Sequence, residues 1–304
     1  MSQVTNQPIP RAKKKYLNDF AVMILCHGRP ENVPTYETLR RYGYNGRIIV
    51  VCDDEDKTLS EYQEIYPEVA VFSKQEVLKY TDPMDNKGDM RCALYARNAC
   101  FDIAERLGLT YFAEFDDDYV GIPYRWEEDG VMYRSASANL DEVFEAYLEF
   151  LESSEHIYSV AFGQPGDFIG GVGSQLHKKQ YRRKCMNSWI CKTERRLTFA
   201  GTMNDDANQY FLEGHRGKIF ITFDFIMIDQ PETQQVQGGM TDMYLGAGTY
   251  QKTFYSVLQT PSFIKIGMMG DRHYRMHHNT DWECACPKIV SSIYKKERGE
   301  VEDE

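Results

Sequence analysis

A chain of 304 residues with 42% hydrophobic content is long enough for one large domain or two small ones around a substantial core. Its 46 acidic against 35 basic side chains give a net charge of −11, which argues against a protein that coats nucleic acid non-specifically, though not against an enzyme that touches DNA through a local patch. No apolar run reaches the length of a membrane span, and MSQVTNQPIPRAKKK lacks the apolar stretch of a secretory leader, so residues 1–19 read as a flexible basic arm.

The first 120 residues alternate strand and helix patterns. FAVMIL, Phe20 to Leu25, reads as a buried strand. CHGRPENVP follows as a loop, and Pro34 suits the first turn of a helix that stops at Gly43. RIIVVC, Arg47 to Cys52, is a second strand; it runs into DDED and a helix that halts at Pro67. VAVF, Val69 to Phe72, is a third. Cys92, Tyr95, Ala96, Ala99, Cys100, Ile103, Ala104 and Leu107 then form one apolar stripe of helical period, with Arg97 and Asn98 off it.

That helix leads into YFAEFDDDYV. Asp116, Asp117 and Asp118 stand where a short buried strand leaves the sheet. Buried carboxylates need a partner or a cation, and Mg²⁺ or Mn²⁺ takes such oxygens together with water and phosphate. A solvated acidic turn is the ordinary alternative for such a run. The alternation implies a mostly parallel sheet with helices on both faces, and ligands bind beyond the carboxyl ends of such strands. Three polar clusters fall at those ends: His27-Gly28-Arg29, Asp53-Asp54 and Asp116-Asp117-Asp118.

The second half is less regular. Leu140 to Leu151 is amphipathic, with Asn139 in the N-cap place. IYSVAF, Ile157 to Phe162, is a strand, followed by the glycine-rich GQPGDFIGGVGS, which lacks the G-x-G-x-x-G spacing of a phosphate loop. The basic run His177 to Lys184, with Lys192, Arg195 and Arg196, is a candidate patch or a solvated surface. IFITFDFIMI, Ile219 to Ile228, and FIKIGMM, Phe263 to Met269, read as strands. Residues 295–304 form a charged tail. The eight cysteines include no C-x-x-C pair, so reduced thiols in a cytosolic setting are expected.

A strand ending in a loop, a second ending in acid, Ala96-Arg97-Asn98 inside a helix and an acidic D-x-D at a strand end together resemble the GT-A class of nucleotide-sugar glycosyltransferases. CHGRPENVPTYETLRRYGYNG, YARNACFDIAERLG, FDDDY, DFIGG, RRKCMNSWIC, GGMTDMYLGAGTY and MMGDRHYRMHH more narrowly resemble the TET-associated glycosyltransferases of bacteriophages, over about Phe20 to Tyr294. The resemblance implies an α/β, GT-A type Rossmann-like sheet in one domain, 20–294. Its nucleotide-sugar half would be 20–120 and its acceptor half 121–294, sharing the sheet. It implies transfer from a UDP-sugar, UDP-glucose first, to 5-hydroxymethylcytosine or 5-hydroxymethyluracil in phage DNA within the host cytoplasm, with Mn²⁺ or Mg²⁺ as cofactor.

On this reading His27, Gly28, Arg29, Asp53, Asp54, Arg97, Asn98, Asp116 and Asp117 bind the nucleotide-sugar. Asp116 and Asp118 hold the metal, with His273 or His277 as a C-terminal ligand; phosphate contact and ordinary surface histidines remain open for that pair. Asp206 is the general base of an inverting transfer, with Asp205 second; helix capping is the alternative role. Similar proteins read N-E-D-V-N where this chain has Asn204-Asp205-Asp206-Ala207-Asn208, so the shorter Asp205 changes the reach of one carboxylate. Acceptor selection falls to Asp167, Gly170 and Gly171, to Asn187 and Trp189, and to the basic run, with Trp189 and Tyr181 as candidate stacking partners for an extruded base. A glycan or protein acceptor is the runner-up within the class, favoured by the acidic balance. A nucleotidyltransferase fits less well, because CHGRPEN is not a glycine-rich basic phosphate loop. A non-catalytic binding module predicts neither metal dependence nor donor hydrolysis.

Overall fold

The computed structural model describes residues 14–85, 88, 90–135, 139–164, 171–174, 187–230, 250, 252–269, 275–281 and 284. The first half follows the expected alternation: β1 (Phe20–Leu25), α1 (Pro34–Arg41), β2 (Arg47–Asp53), α2 (Leu59–Ile65), β3 (Val69–Phe72), α3 (Lys74–Leu78), α4 (Leu94–Arg106) and β4 (Tyr111–Asp116). After it come a hairpin, β5 (Tyr124–Glu128) and β6 (Val131–Ser135), then α5 (Leu140–Glu152), β7 (Ile157–Gly163), β8 (Ser188–Lys192), α6 (Asp205–Gly214) and β9 (Ile219–Met227). Two more strands, β10 (Ile264–Met269) and β11 (Arg275–Thr280), follow a helical stretch at 252–259.

Nine strands form one sheet in the order β3-β2-β1-β4-β8-β7-β9-β5-β6. β3, β2, β1 and β4 are parallel, β8 enters antiparallel between β4 and β7, and β7 pairs parallel with β9. The fold is therefore α/β with a large, mostly parallel sheet, and the second half shares it as expected. Among the described residues the strand read at FIKIGMM does not join it: β10 pairs with β11 in a separate two-stranded sheet.

The uniformly apolar strands follow from burial on both faces. Along β1, Phe20, Val22 and Ile24 pack into one core with Leu39 of α1, Tyr62 of α2 and Phe144 and Leu148 of α5. Ala21, Met23 and Leu25 pack into the other with Val77 of α3, Ala99 and Ile103 of α4 and Tyr210 of α6. Pro34 opens α1, where its missing N–H costs nothing. Asn139 occupies the N-cap of α5 without a side-chain capping bond.

One sequence expectation changes here. Arg97 and Asn98, off the apolar stripe, are both buried, at 3% and 1% exposure. The reason is that α4 is covered on a second flank, by the 197–203 segment that leads into α6, with Leu197 and Phe199 in the same core.

Candidate functional site

The register of the parallel strands sets the site. Leu25 at the end of β1 lies opposite Val51 on β2 and Asp116 on β4. The residues that follow therefore emerge side by side at one edge of the sheet, where a ligand meets strand ends and loops.

At the β1–β2 side, His27 Nδ1 lies 2.7 Å from Asp53 Oδ2. Lys74, just past β3, places Nζ 2.9 Å from Asp53 Oδ1. Burial pushes the Asp53 carboxyl upward, but the hydrogen bonds from His27 and Lys74 outweigh it and hold it below the usual range. The hydrogen bond to Asp53 raises His27 above an ordinary histidine. Gly28, at φ +72°, donates its N–H to Asp56 Oδ2 at 2.8 Å; this left-handed turn suits glycine and aims the loop at the second strand end. Asp54 is exposed and accepts the Lys74 N–H at 3.2 Å.

The acidic triplet is locked by the start of α1. The Thr35 hydroxyl donates to the Asp116 carbonyl at 2.6 Å and accepts from the Tyr119 N–H at 2.8 Å, and the Thr35 N–H donates to the Asp117 carbonyl at 3.2 Å. Arg29 grips both Asp117 oxygens, Nε to Oδ2 at 2.7 Å and Nη2 to Oδ1 at 2.6 Å. Arg97 donates Nη2 to Asp116 Oδ1 at 3.2 Å and Nε to Asp205 Oδ2 at 2.9 Å. Glu114, earlier on the same strand and fully buried, lies 3.8 Å from Arg97 Nη1.

Two guanidinium groups thus face five carboxylates, Glu114, Asp116, Asp117, Asp118 and Asp205. Burial, only partly offset by the arginines, pushes Asp116 and Asp117 each up to about 6. It also raises Asp118 and Asp205, and it drives Glu114 well up. The Asp118 Oδ1 atom is buried with no hydrogen-bond donor among the described residues. Unmet negative charge on hard oxygen donors, with an orphaned carboxylate oxygen among them, is the chemistry that Mg²⁺ or Mn²⁺ fits. No three His, Cys, Asp or Glu side chains already converge on a metal position among the described residues. An ion here would therefore draw part of its shell from water and ligand oxygens, as Mg²⁺ commonly does.

Two further carboxylates come from α6. Asp205 and Asp206 form its first turn, where helix N–H groups and the helix dipole favour negative charge. Asn204 precedes them at φ +54°, a conformation asparagine tolerates, and its amide donates to the Lys252 carbonyl and Ser256 Oγ. Helix capping by the Asn204 side chain does not occur.

Other candidates fall elsewhere. Arg97, placed by the sequence reading among the nucleotide-sugar-binding residues, is turned inward onto carboxylates. Asn98 is a structural clasp: its amide donates to Thr81 Oγ1 and the Phe199 carbonyl and accepts the Phe199 N–H. Trp189 is fully buried between Phe199 and Phe220, so stacking on an extruded base is corrected to core packing. Asn187 does sit at the site's edge, at φ +55°, its carbonyl accepting the Tyr119 hydroxyl. Gly171 begins a short 3-10 turn and approaches Met132 of β6. His277 lies on β11, opposite Gly267 and stacked on His278, in the separate two-stranded sheet. Asp167, Gly170, Tyr181, His273 and the run from His177 to Lys184 lie outside the described residues. Of the basic residues beyond that run, Lys192 pairs with Glu152 and Glu194, Arg195 with Glu152, and Arg196 with Asp102.

Sequence reading passed over Asp56, Lys74, Glu114 and Thr35. Lys74 stands two residues beyond the third strand, and Glu114 is a charge inside an apolar strand; both signals were present in the chain.

The family model described as TET-Associated Glycosyltransferase matches residues 20–239. No curated protein matches. Among solved structures, similarity is found to a mycobacterial protein, at 10% identity and TM-score 0.47, covering 90% of this chain and 89% of that one. It is also found to glucosyl-3-phosphoglycerate synthase from Mycobacterium tuberculosis with Mg²⁺ and uridine diphosphate, at 12% identity and TM-score 0.46, covering 86% and 87%. A mannosyltransferase from Pyrobaculum calidifontis with GDP-Man and Mn²⁺ is similar at 11% identity and TM-score 0.44, covering 84% and 78%.

Proposed function

The chain belongs to the TET-associated glycosyltransferase family, and from that membership we propose that it transfers a sugar from a UDP-sugar, UDP-glucose first, to the hydroxymethyl group of 5-hydroxymethylcytosine or 5-hydroxymethyluracil in DNA. The class itself, a nucleotide-sugar glycosyltransferase, follows directly from the family. The observation that carries the reading is the meeting of Asp116–Asp118 at the end of β4 with Asp205 and Asp206 on α6, beside the His27–Arg29 and Asp53 loops. Residues 20–120 form the donor half of a single domain on this reading, and 121–294 the acceptor half.

Asp118 and Asp116 would hold Mn²⁺ or Mg²⁺, which supplies Lewis-acid neutralisation of the departing diphosphate. Asp53, held ionised by Lys74 and His27, accepts hydrogen bonds from uracil N–H or ribose hydroxyls. The backbone of His27 and Gly28 borders the base. Asp117, fixed by Arg29, orients its neighbours Asp116 and Asp118. The acceptor hydroxyl oxygen bonds to the anomeric carbon as the bond from that carbon to the diphosphate oxygen breaks. The hydroxyl proton passes to a carboxylate, with inversion at carbon. Asp206, in the first turn of α6, is assigned as that base, with Asp205, which accepts from Arg97, second.

The test is incubation with a panel of UDP-sugars, Mn²⁺ and DNA containing hydroxymethylcytosine or hydroxymethyluracil, followed by nucleoside mass measurement. A mass increase of one hexose is expected. Asp118→Ala is expected to abolish it while the fold survives; retained transfer by that variant removes the metal assignment. A glycan or protein acceptor is the second reading. It is favoured by the pairing of Lys192, Arg195 and Arg196 with carboxylates, which leaves those three little charge to offer phosphate. Transfer to such acceptors, with none to modified DNA, would select it.

A further inference from the structure

We propose that Arg97 is a positioning residue, which sets Asp116 of the donor half and Asp205 of the acceptor half side by side against one edge of its guanidinium. The proposal rests on the glycosyltransferase reading and deepens it.

The two arginines of the site use the same edge differently. Arg29 directs its Nε and Nη2 to the two oxygens of a single carboxylate, Asp117. Arg97 divides the same two nitrogens between two carboxylates, Nε to Asp205 and Nη2 to Asp116. These residues belong to different halves, one ending β4 and one beginning α6. A planar fork with fixed N–H directions sets the separation of whatever it binds, which a single ammonium cannot do. Without that charge between them, the two carboxylates would repel.

The fork is held from the other sides. Its third nitrogen, Nη1, is buried and pairs with Glu114 Oε2 at 3.8 Å, beyond hydrogen-bond length; among the described residues neither it nor the two Glu114 oxygens has a hydrogen-bond partner. The Phe199 ring lies 5.9 Å from the guanidinium carbon. Asn98, the next residue on α4, fastens the Phe199 backbone through both amide atoms. At 3% exposure, the guanidinium is enclosed by the protein and does not sit in the cleft as a ligand-facing cation.

The test is a series, Arg97→Lys, Arg97→Gln and Arg97→His, in the full chain. It reads kcat and donor KM for sugar transfer with Mn²⁺, the calorimetric Kd for UDP, and the melting temperature. A displacement of the order of 1 Å between reacting groups costs about 100-fold in rate. Folded members of the series are therefore expected to lose kcat on the order of 100-fold, with donor KM and UDP Kd changed less than about fivefold. A loss that appears instead as raised KM and Kd would make Arg97 a phosphate ligand and overturn the proposal. So would kcat within about twofold of wild type for Arg97→Lys. Failure of all three variants to fold would assign Arg97 to stability alone and also overturn it. Wild-type protein that transfers no sugar overturns the glycosyltransferase reading itself, an outcome the wild-type arm separates from the others.

Discussion

His27 and Asp53 carry a prediction that needs no substrate. The imidazole is raised by its hydrogen bond to Asp53, while Asp53 is held low by His27 and Lys74. A histidine whose folded pKa lies above its unfolded value of about 6.5 adds stability that is fully present below that value. That stability is lost as pH rises through the raised folded pKa. An NMR titration of the His27 ring is expected to give a midpoint above the ordinary histidine value, and Asp53→Asn is expected to lower it. An unmoved midpoint in Asp53→Asn would remove the pair as the cause. Asn98 predicts a different effect. Its amide closes three buried hydrogen bonds, so Asn98→Ala strands groups on Thr81 and Phe199. A loss of about 1–3 kcal/mol is expected for each buried group left unpaired. Urea unfolding measures it, and nucleotide affinity of the folded fraction should stay close to wild type.

At the scale of elements, the segment that delivers α6 is tightly specified. Gly201 sits at φ +90°, and a Cβ there would meet Asn208 Nδ2 at 2.4 Å. That same amide nitrogen holds the Ala200 and Met203 carbonyls at 3.2 and 2.9 Å. Gly201→Ala therefore combines a left-handed backbone penalty of about 1–2 kcal/mol with an overpacking cost of about 1–3 kcal/mol. Because the displaced carbonyls lead straight into Asp205, sugar transfer is expected to fall along with stability. Urea unfolding and initial rates check the two together.

Much of the first half was readable because its signals are local. β1, β2 and β4 are apolar runs, the loops carry Pro34 and Gly43, and parallel register brings the strand-end residues together without further information. What escaped depends on neighbours distant in sequence. Arg97 and Asn98 lie off the stripe of α4 because that stripe records only the sheet-facing side. The second cover arrives a hundred residues later, with Phe199. The hairpin of β5 and β6 was missed although Asp129-Gly130, at φ +51° and +78°, is the turn pair such hairpins favour. Its strands carry Arg125, Glu127, Glu128 and Arg134, which mask the alternation. Trp189 looked like a stacking platform because sequence does not report that antiparallel β8 runs through the middle of the sheet.

At the scale of the whole molecule, sheet order explains how an acidic chain concentrates its chemistry. Inserting β8 beside β4 joins the strands β3-β2-β1-β4 to β7 and β9, and α6 then packs against the same core as α4, which puts Asp205 within reach of Arg97. The same arrangement ties three basic residues to internal carboxylates: Lys192 and Arg195 to Glu152, and Arg196 to Asp102, the last at 2.6 Å. A DNA acceptor must therefore find its phosphate partners elsewhere. Lys178, Lys179, Arg182, Arg183 and Lys184, outside the described residues, are the remaining cations of that stretch. Each phosphate neutralised adds about 0.9 to the slope of log affinity against log salt on duplex DNA, and about 0.7 on single strands. Changing these five residues to Gln is expected to flatten that slope by about one for every phosphate no longer neutralised, and to weaken modified and unmodified DNA alike. Lys192→Gln with Arg196→Gln is expected to leave the slope unchanged, since those charges are already paired. Fluorescence anisotropy over about 50 to 200 mM salt measures both variants. If the paired residues set the slope and the five cations do not, DNA contacts Lys192 and Arg196 instead, and the basic run has no part in acceptor binding.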